Sequence, residues 1–525
     1  MMVGSDPISA YHADPSFRSI DCMSPQTAYS ELIRLAREQT VLSSCADLLE
    51  WDEETYMPRG GVKHRAEQSS VLAGMLHERQ TSVQVGDLLA AIEGSDLVRD
   101  PDAPAAVNVR ELRRQFNRLT RLPKSLVIEH ARVTTLAQQV WVEAREEGDY
   151  ALFSPWLEQI ISLSRQLAAA FGHDGNPYDA LLEEYEPGVK TAQVAKLFSD
   201  LRAELVPLAL SIASCKKKPK AAMLKREYPV DRQKIFTAAV AAAVGFDLEC
   251  GRMDTAAHPF CMAIGPGDAR LTVRYAERSL GDGFFAMLHE VGHGLYEQGL
   301  IATHYGTPMG TPASLGMHES QSRLWENLVG RGLPFWKHFY PRLRNVFHES
   351  LSDVKVEAFV AAVNRVEPTT NRAHADEITY NLHILVRFEL EQALLSGDLK
   401  AADLPGAWRE AYKKHVGIEP KDDVEGCLQD GHWSEGLVGY FPTYTLGNVY
   451  AAQLYAAARN SLGNVDEAFA KGDFGGLLAW LRENIHKHGM HYRAAELVQR
   501  ATGGPPDHRP LIAGLKAKYG ELYGL

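Results

Sequence analysis

The chain of 525 residues (58.1 kDa) carries 55 Lys plus Arg against 67 Asp plus Glu, a formal net charge of -12, with 45% hydrophobic and 23% charged residues. These near-average proportions exclude long disorder, collagen-like repeats and a small disulfide scaffold, and they supply enough apolar residues for a large core. The acidic balance excludes a general nucleic-acid binder, which needs a basic face to neutralise phosphates.

Residues 1–25 are polar, rich in Ser, Asp and Pro and without a period, and read as a flexible N-terminal extension ahead of one body over residues 26–525. The first residues have neither a basic n-region nor an apolar h-region, so no secretory signal is evident and a cytoplasmic address is expected. Apolar residues recur at i, i+3, i+4 and i+7 over 28–38, 65–77, 107–118, 124–147, 155–171 and 192–210, and each stretch predicts a helix. The lysines at 216, 217, 218 and 220 flank Pro219 and read as a solvated loop. Residues 236–246 form the longest apolar stretch, alanine-rich and about half the length of a membrane-spanning helix, so no membrane association is expected. An alternating stretch at 269–275 predicts a strand, after a short run at 261–264 and a Gly-Pro-Gly turn at 265–267. The six cysteines show no CxxC pair, which argues against disulfides and cysteine zinc sites.

The segment 283–298 holds the chemistry. Its apolar residues Phe284, Phe285, Met287, Leu288, Val291 and Leu295 suit a buried helix. His289 and His293 are one helical turn apart, so both imidazoles leave the same face and can take two corners of a zinc tetrahedron. Glu290 stands beside them, placed to take a proton from a water that zinc has acidified. A metzincin would need a glycine and a third histidine where the chain has Tyr296 and Gly299, so that branch is excluded. The third ligand is expected to be Glu319, on a second helix over 316–327. Glu297 is the alternative, about 12 Å of helical rise from His289. Glu326 reads equally as a partner behind a ligand or as a surface ion pair.

These residues stand within a longer series of motifs. His258-Pro259-Phe260, Asp268-Ala269-Arg270-Leu271-Thr272, His318-Glu319-Ser320-Gln321, Gln429-Asp430-Gly431-His432-Trp433 and a segment from Tyr440 to Asn448 follow one another in order. In this the chain resembles the Taq-type metallocarboxypeptidases, helical zinc exopeptidases, from about residue 26 to the C-terminus. The family's IRxxAD stands here as Asn371-Arg372-Ala373-His374-Ala375-Asp376, with Asn for Ile. The resemblance implies a mainly α fold, one large helical body with a small β-sheet beside a deep active-site groove, gluzincin-like in its HExxH chemistry. It implies His289, His293 and Glu319 as ligands of zinc, or of cobalt, and Glu290 as the catalytic base.

The reaction implied is hydrolysis of a peptide's last amide bond, with release of single residues over a broad range of side chains. His258, His432, Tyr440 and Tyr444 are candidates to stabilise the oxyanion, with His432 and Tyr444 favoured by analogy with related helical peptidases. A guanidinium can grip the substrate's terminal carboxylate, and Arg372 and Arg270 are the candidates, Arg372 ranked first because the resemblance puts its loop near the bound C-terminus. Gln429 is a further candidate for substrate contact, or a buried structural amide. The expected partners are peptides with a free C-terminal carboxylate and, by the family's habit, a second copy of the chain. Two other readings share the motifs: a helical zinc oligopeptidase cutting inside short peptides, and a peptide-binding protein without activity.

Overall fold

A computed structural model describes residues 23–525. The expected flexible extension lies outside these residues up to position 22, and its last residue, Pro25, already opens the first helix, capped by the Ser24 side chain on the Thr27 N–H. Among the described residues nine helices come first: α1 (Pro25–Thr55), α2 (Val62–Gln80), α3 (Val83–Ile92), α4 (Pro104–Arg121), α5 (Lys124–Glu147), α6 (Tyr150–Phe171), α7 (Pro177–Tyr185), α8 (Thr191–Ser214) and α9 (Val230–Ala243). Each stretch with helical period falls inside one of these. The stretch at 124–147 coincides with α5, which stops at Gly148, whose φ of 70° lies in the left-handed region.

A three-stranded sheet follows, of β1 (Gly251–Thr255), β2 (Cys261–Gly265) and β3 (Asp268–Val273), in the order β1-β3-β2. β3 is central, parallel to β1 with Leu271 opposite Met253 and antiparallel to β2 with Leu271 opposite Cys261. The strand expected at 269–275 is β3, ending two residues early, and the run at 261–264 is β2. β1, Gly-Arg-Met-Asp-Thr, carries no alternation that a sequence reading could use, and it is a strand because β3 offers it a free edge.

Twelve helices complete the chain: α10 (Leu280–Glu297), α11 (Leu315–Arg323), α12 (Leu333–Val346), α13 (His348–Leu351), α14 (Val356–Val363), α15 (Tyr380–Ser396), α16 (Leu404–His415), α17 (Pro442–Leu462), α18 (Val465–Ala470), α19 (Gly475–Asn484), α20 (Ala494–Thr502) and α21 (Arg509–Tyr523). One hydrophobic core runs from Leu126 on α5 to Tyr523 on α21, and α10 passes through it. A separate small core of Ala28, Leu32, Val85, Leu88, Leu89, Ile92 and Val109 joins α1, α3 and α4. Lys216, Lys217, Lys218 and Lys220 are exposed in a loop, and no cysteine among the described residues is paired. Among the described residues no helix is long and apolar enough to cross a membrane.

Two glycines let three helices meet at the centre. A Cβ on Gly292 of α10 would lie 2.5 Å from the Gln321 carbonyl oxygen and from the Ser322 Cα of α11. A Cβ on Gly447 of α17 would lie 2.6 Å from the Glu319 Cγ of α11. Helix α11 is therefore held between α10 and α17 at a distance that only hydrogen side chains allow. Immediately after α11 the backbone widens into a π-turn over Leu324–Val329, a local form common near functional sites.

Candidate functional site

The sandwich of α10, α11 and α17 brings His289, His293 and Glu319 together, with one donor atom from each lying within 4.8 Å of the others. The Glu319 Oε2 is 3.4 Å from the His289 Nε2 and 3.6 Å from the His293 Nε2. Donors bonded at about 2.0–2.1 Å in a tetrahedron stand roughly 3.3–3.5 Å apart, so the set fits a divalent ion of zinc's size and preference for nitrogen and carboxylate oxygen. Without such an ion two half-buried imidazoles and a buried carboxylate would have little reason to converge.

Each donor is oriented by a second group. The His289 Nδ1 is 3.1 Å from the Glu326 Oε2, so its proton points at that carboxylate and Nε2 is left as the free lone pair. Glu326, buried in the π-turn, also accepts from Arg323 and Arg331. Those guanidiniums hold its carboxyl down at about 2 against the opposing effect of burial. The surface ion pair considered for Glu326 is thus not what forms. The His293 Nδ1 meets the Nδ1 of His318, whose Nε2 is 2.8 Å from the Glu297 Oε1. With Glu297 accepting the His318 proton, His318 accepts from His293, and the His293 Nε2 is free. Glu297, the alternative third ligand, therefore stands two side chains behind His293. Glu319 accepts from the Arg323 Nε at Oε1, at 2.6 Å, and from the Ser322 hydroxyl at Oε2, at 3.0 Å. Burial raises its pKa, but Arg323 and His289 outweigh that and keep the carboxyl ionised, well below the usual range.

The three donors open onto a cavity of about 590 Å³, lined also by Glu290, Tyr185, Cys261, Tyr440 and Tyr444. Burial pushes the Glu290 carboxyl up to about 7, a poise that suits a group taking and returning a proton. Tyr444 brings its ring to the wall, with its hydroxyl 3.0 Å from the His432 Nε2. His432 sits behind it, its ring stacked on Phe441 at 4.6 Å. Burial and then the charge of Arg372 push His432 down to about 4, so it is neutral at pH 7. Burial lifts Tyr440 to about 12 and raises Tyr444 well above its ordinary value, so both phenols keep their protons as donors.

Arg372 packs its guanidinium 4.8 Å from the centre of the Tyr444 ring. Its Nε and Nη2 donate to the Asp430 Oδ1, and its Nη1 donates to the Tyr380 hydroxyl at 3.2 Å. Asn371, in place of the family's Ile, caps the turn beneath it by accepting the Ala373 N–H at 2.9 Å. Neither Arg372 nor His432 itself lines the cavity, which each reaches through Tyr444, and three other candidates are engaged elsewhere. Arg270 forms a two-point pair with Asp268, at 2.8 and 2.7 Å, and covers the Trp51 ring at 4.3 Å. The Gln429 amide is satisfied by the chain itself: its nitrogen donates to the carbonyls of Thr370, Glu425 and Gly426, and its oxygen accepts from the Arg372 N–H and from Arg387. His258 is exposed in the loop before β2, and only its neighbours Pro259 and Phe260 line the cavity.

His318, Arg323 and Tyr380 were not singled out in the sequence as working groups. Arg323 had a usable signal, four residues after Glu319 on one helix. Tyr380 had none, since its place follows from how α15 packs.

Comparison with known proteins agrees with this geometry. The family model for the carboxypeptidase Taq (M32) metallopeptidases matches residues 31–519. Thermostable carboxypeptidase 1 of Thermus thermophilus is 48% identical over 511 residues, covering 96% of this chain and all of the relative. Carboxypeptidase 1 of Bacillus subtilis is 34% identical, over 95% of this chain and all of the relative. The crystal structure of the M32 carboxypeptidase from Deinococcus radiodurans R1 superposes with a TM-score of 0.92 at 41% identity, covering 95% of this chain and all of that one.

Proposed function

Because this chain belongs to the carboxypeptidase Taq (M32) metallopeptidase family and is a metallocarboxypeptidase, we propose that it removes single residues from the free C-terminus of peptides with zinc as its metal. The observation that carries the metal assignment is the convergence of two imidazole nitrogens and one carboxylate oxygen at the spacing of a tetrahedral site, each fixed from behind. Cobalt has the same preferences and can replace zinc. His289, His293 and Glu319 would hold the ion, which, when bound, acidifies water and polarises the scissile carbonyl.

The remaining chemistry belongs to the chain. Glu290 takes a proton from the attacking water as the new C–O bond forms, and returns it to the leaving amine as the C–N bond breaks. Tyr444, its hydroxyl oriented by neutral His432, donates to the developing oxyanion, and Tyr440 stands beside it on the same wall. Arg372 receives the substrate's terminal carboxylate through the edge that carries Nη1, turned from Asp430 towards Tyr380. Support for preferring it to Arg270 is its contact with the cavity-lining Tyr444: both arginines are paired with an aspartate, but Arg270 lies over Trp51 instead. No part is assigned to His258 or Gln429 as substrate groups. A cytoplasmic site of action, as expected from the sequence, and a homodimer, which rests on the family alone, complete the reading.

The decisive experiment compares a peptide with its C-terminally amidated form, with and without chelator, by mass spectrometry of the products. Stepwise loss of single residues from the free acid only, abolished by chelator and restored by zinc or cobalt, is expected. Equal cleavage of the amide would exclude the carboxylate grip and favour an oligopeptidase.

A further inference from the structure

Between Asp430 and Phe441 the chain has no regular helix or strand, yet it carries His432 and Tyr440, and it leads into α17 with Tyr444. Such a segment must be held from outside to keep a donor in place within a fraction of an ångström. Helix α15 holds it at both ends, through two side chains one turn apart. Arg387 donates to the Asp430 Oδ2 at 2.6 Å and to the Gln429 Oε1 at 2.9 Å. Glu391, fully buried, takes the other end: its Oε1 accepts the Trp433 indole N–H at 2.9 Å and its Oε2 accepts the Gly439 N–H at 3.3 Å. The same Oε2 accepts the Tyr178 hydroxyl of α7 at 2.6 Å, and α7 ends in Tyr185, another residue of the cavity wall.

We propose that Glu391 is a positioning residue for the oxyanion-stabilising side of the site, fixing the segment 431–441 against α7 so that His432 and Tyr444 meet in the right geometry. The proposal rests on the part given above to His432 and Tyr444. Its basis is the kind of partner Glu391 has. An indole N–H and a backbone N–H can only donate, so two of its three partners cannot reverse their roles. A carboxylate satisfies all three at once. An amide cannot: with its oxygen towards Trp433, its NH2 can donate to the Tyr178 oxygen but opposes the Gly439 N–H, and turned over it opposes the Trp433 N–H. The conservative replacement is therefore a disruptive one, and the conflict falls on the segment that carries His432. Gly439 has no slack to absorb it, because a φ of 93° and Leu181 and Leu182 of α7 confine its backbone.

The test uses the metal-loaded enzyme and the variants Glu391→Gln, Trp433→Phe and the double variant. Glu391→Gln should lower kcat about tenfold, the size expected when a buried donor loses its partner, with KM and metal content unchanged. Amide hydrogen exchange over residues 431–441 should quicken. Adding Trp433→Phe to Glu391→Gln should restore part of the lost kcat, because the amide can then turn its oxygen to Tyr178 and Gly439. A role in packing alone would make the double variant worse than either single one, and that result overturns the proposal, as does unchanged exchange in Glu391→Gln. Faster exchange with unchanged kcat would leave the positioning intact and overturn instead the catalytic part given to His432 and Tyr444.

Discussion

Glu290 and Glu319 are both buried carboxylic acids within one site, and their surroundings drive them apart. Arg323 stands against Glu319 and keeps it charged, while burial dominates at Glu290 and lifts it towards neutrality. The first is suited to hold a cation and the second to exchange a proton. Glu290→Gln is accordingly expected to lower kcat by roughly 10²–10⁴ while leaving metal content near that of the parent, checked by kinetics beside elemental analysis. Another buried acid, Glu186, lies outside the metal centre, accepting the Gly316 N–H and the Tyr450 hydroxyl, and burial pushes it to about 7. Its folded pKa exceeds its ordinary value of 4.5, so the native state binds the proton more tightly than the unfolded state. That contribution to stability is full below about 4.5 and is lost as pH rises through about 7. Gln at this position can satisfy both partners, because the Tyr450 oxygen can accept as well as donate. Glu186→Gln should therefore gain stability relative to the parent as pH is raised across that window, by about 1–3 kcal/mol, measured as the difference between two melting curves at each pH. At this scale the ligand pair and the base were legible, because HExxH fixes three side chains by one helical turn. The relay through His318 and Glu297 was not, since it depends on the angle at which α11 crosses α10.

The crossing itself is written in glycine. Gly292 lies between the two histidines and Gly447 faces Glu319. Their role is geometric, since neither has a positive φ among those that require glycine. Gly447→Ala must move Glu319 or tilt α11, because the added carbon has Glu319 atoms at 2.6 and 2.8 Å. The expected result is a loss of about 1–3 kcal/mol in stability from overpacking, and weaker metal binding read by competition with a chelator. Normal metal affinity with only a lowered Tm would show that the site floats free of this contact. The amphipathic helices were readable because each buries one stripe, and β3 because its residues alternate. β1 and the π-turn after α11 were not, because neither is favoured by its own residues: β1 exists by pairing with β3, and the π-turn places Glu326 against His289. Arg372's loop was half legible. Its arginine and aspartate marked it, whereas the cap from Asn371 follows from a residue the family pattern does not contain.

Across the whole molecule, the motifs from residue 258 to 444 converge only in part, since His258, Arg270 and Gln429 lie off the cavity, and the core from Leu126 to Tyr523 surrounds the rest. What composition and periodicity did not reveal is that α1, α3 and α4 bury their apolar stripes in a second, much smaller core. Helix α1 meets the sheet mainly through a few polar and stacked contacts: Tyr56 donates to Asp254 at 2.6 Å, and Arg252 and Arg270 cover Trp51. Helix α4 adds a polar link, with buried Asn108 accepting the Met309 N–H and buried Glu111 paired with Arg493, but cooperativity comes mainly from shared apolar burial, and the two apolar cores have no residue in common. The molecule should therefore melt as two units. In scanning calorimetry the total heat absorbed should exceed the van't Hoff heat drawn from the shape of the main transition, and a weak early transition should belong to the N-terminal helices. The three residues proposed to hold the metal lie on helices of the larger core, so added metal should move the late transition upward and leave the early one in place. A single transition shifted as a whole by metal would show that the two cores melt together. If they do not, thermal inactivation and thermal unfolding are different events in this enzyme, and a melting temperature reported by tryptophan fluorescence will overstate how long the whole chain stays intact.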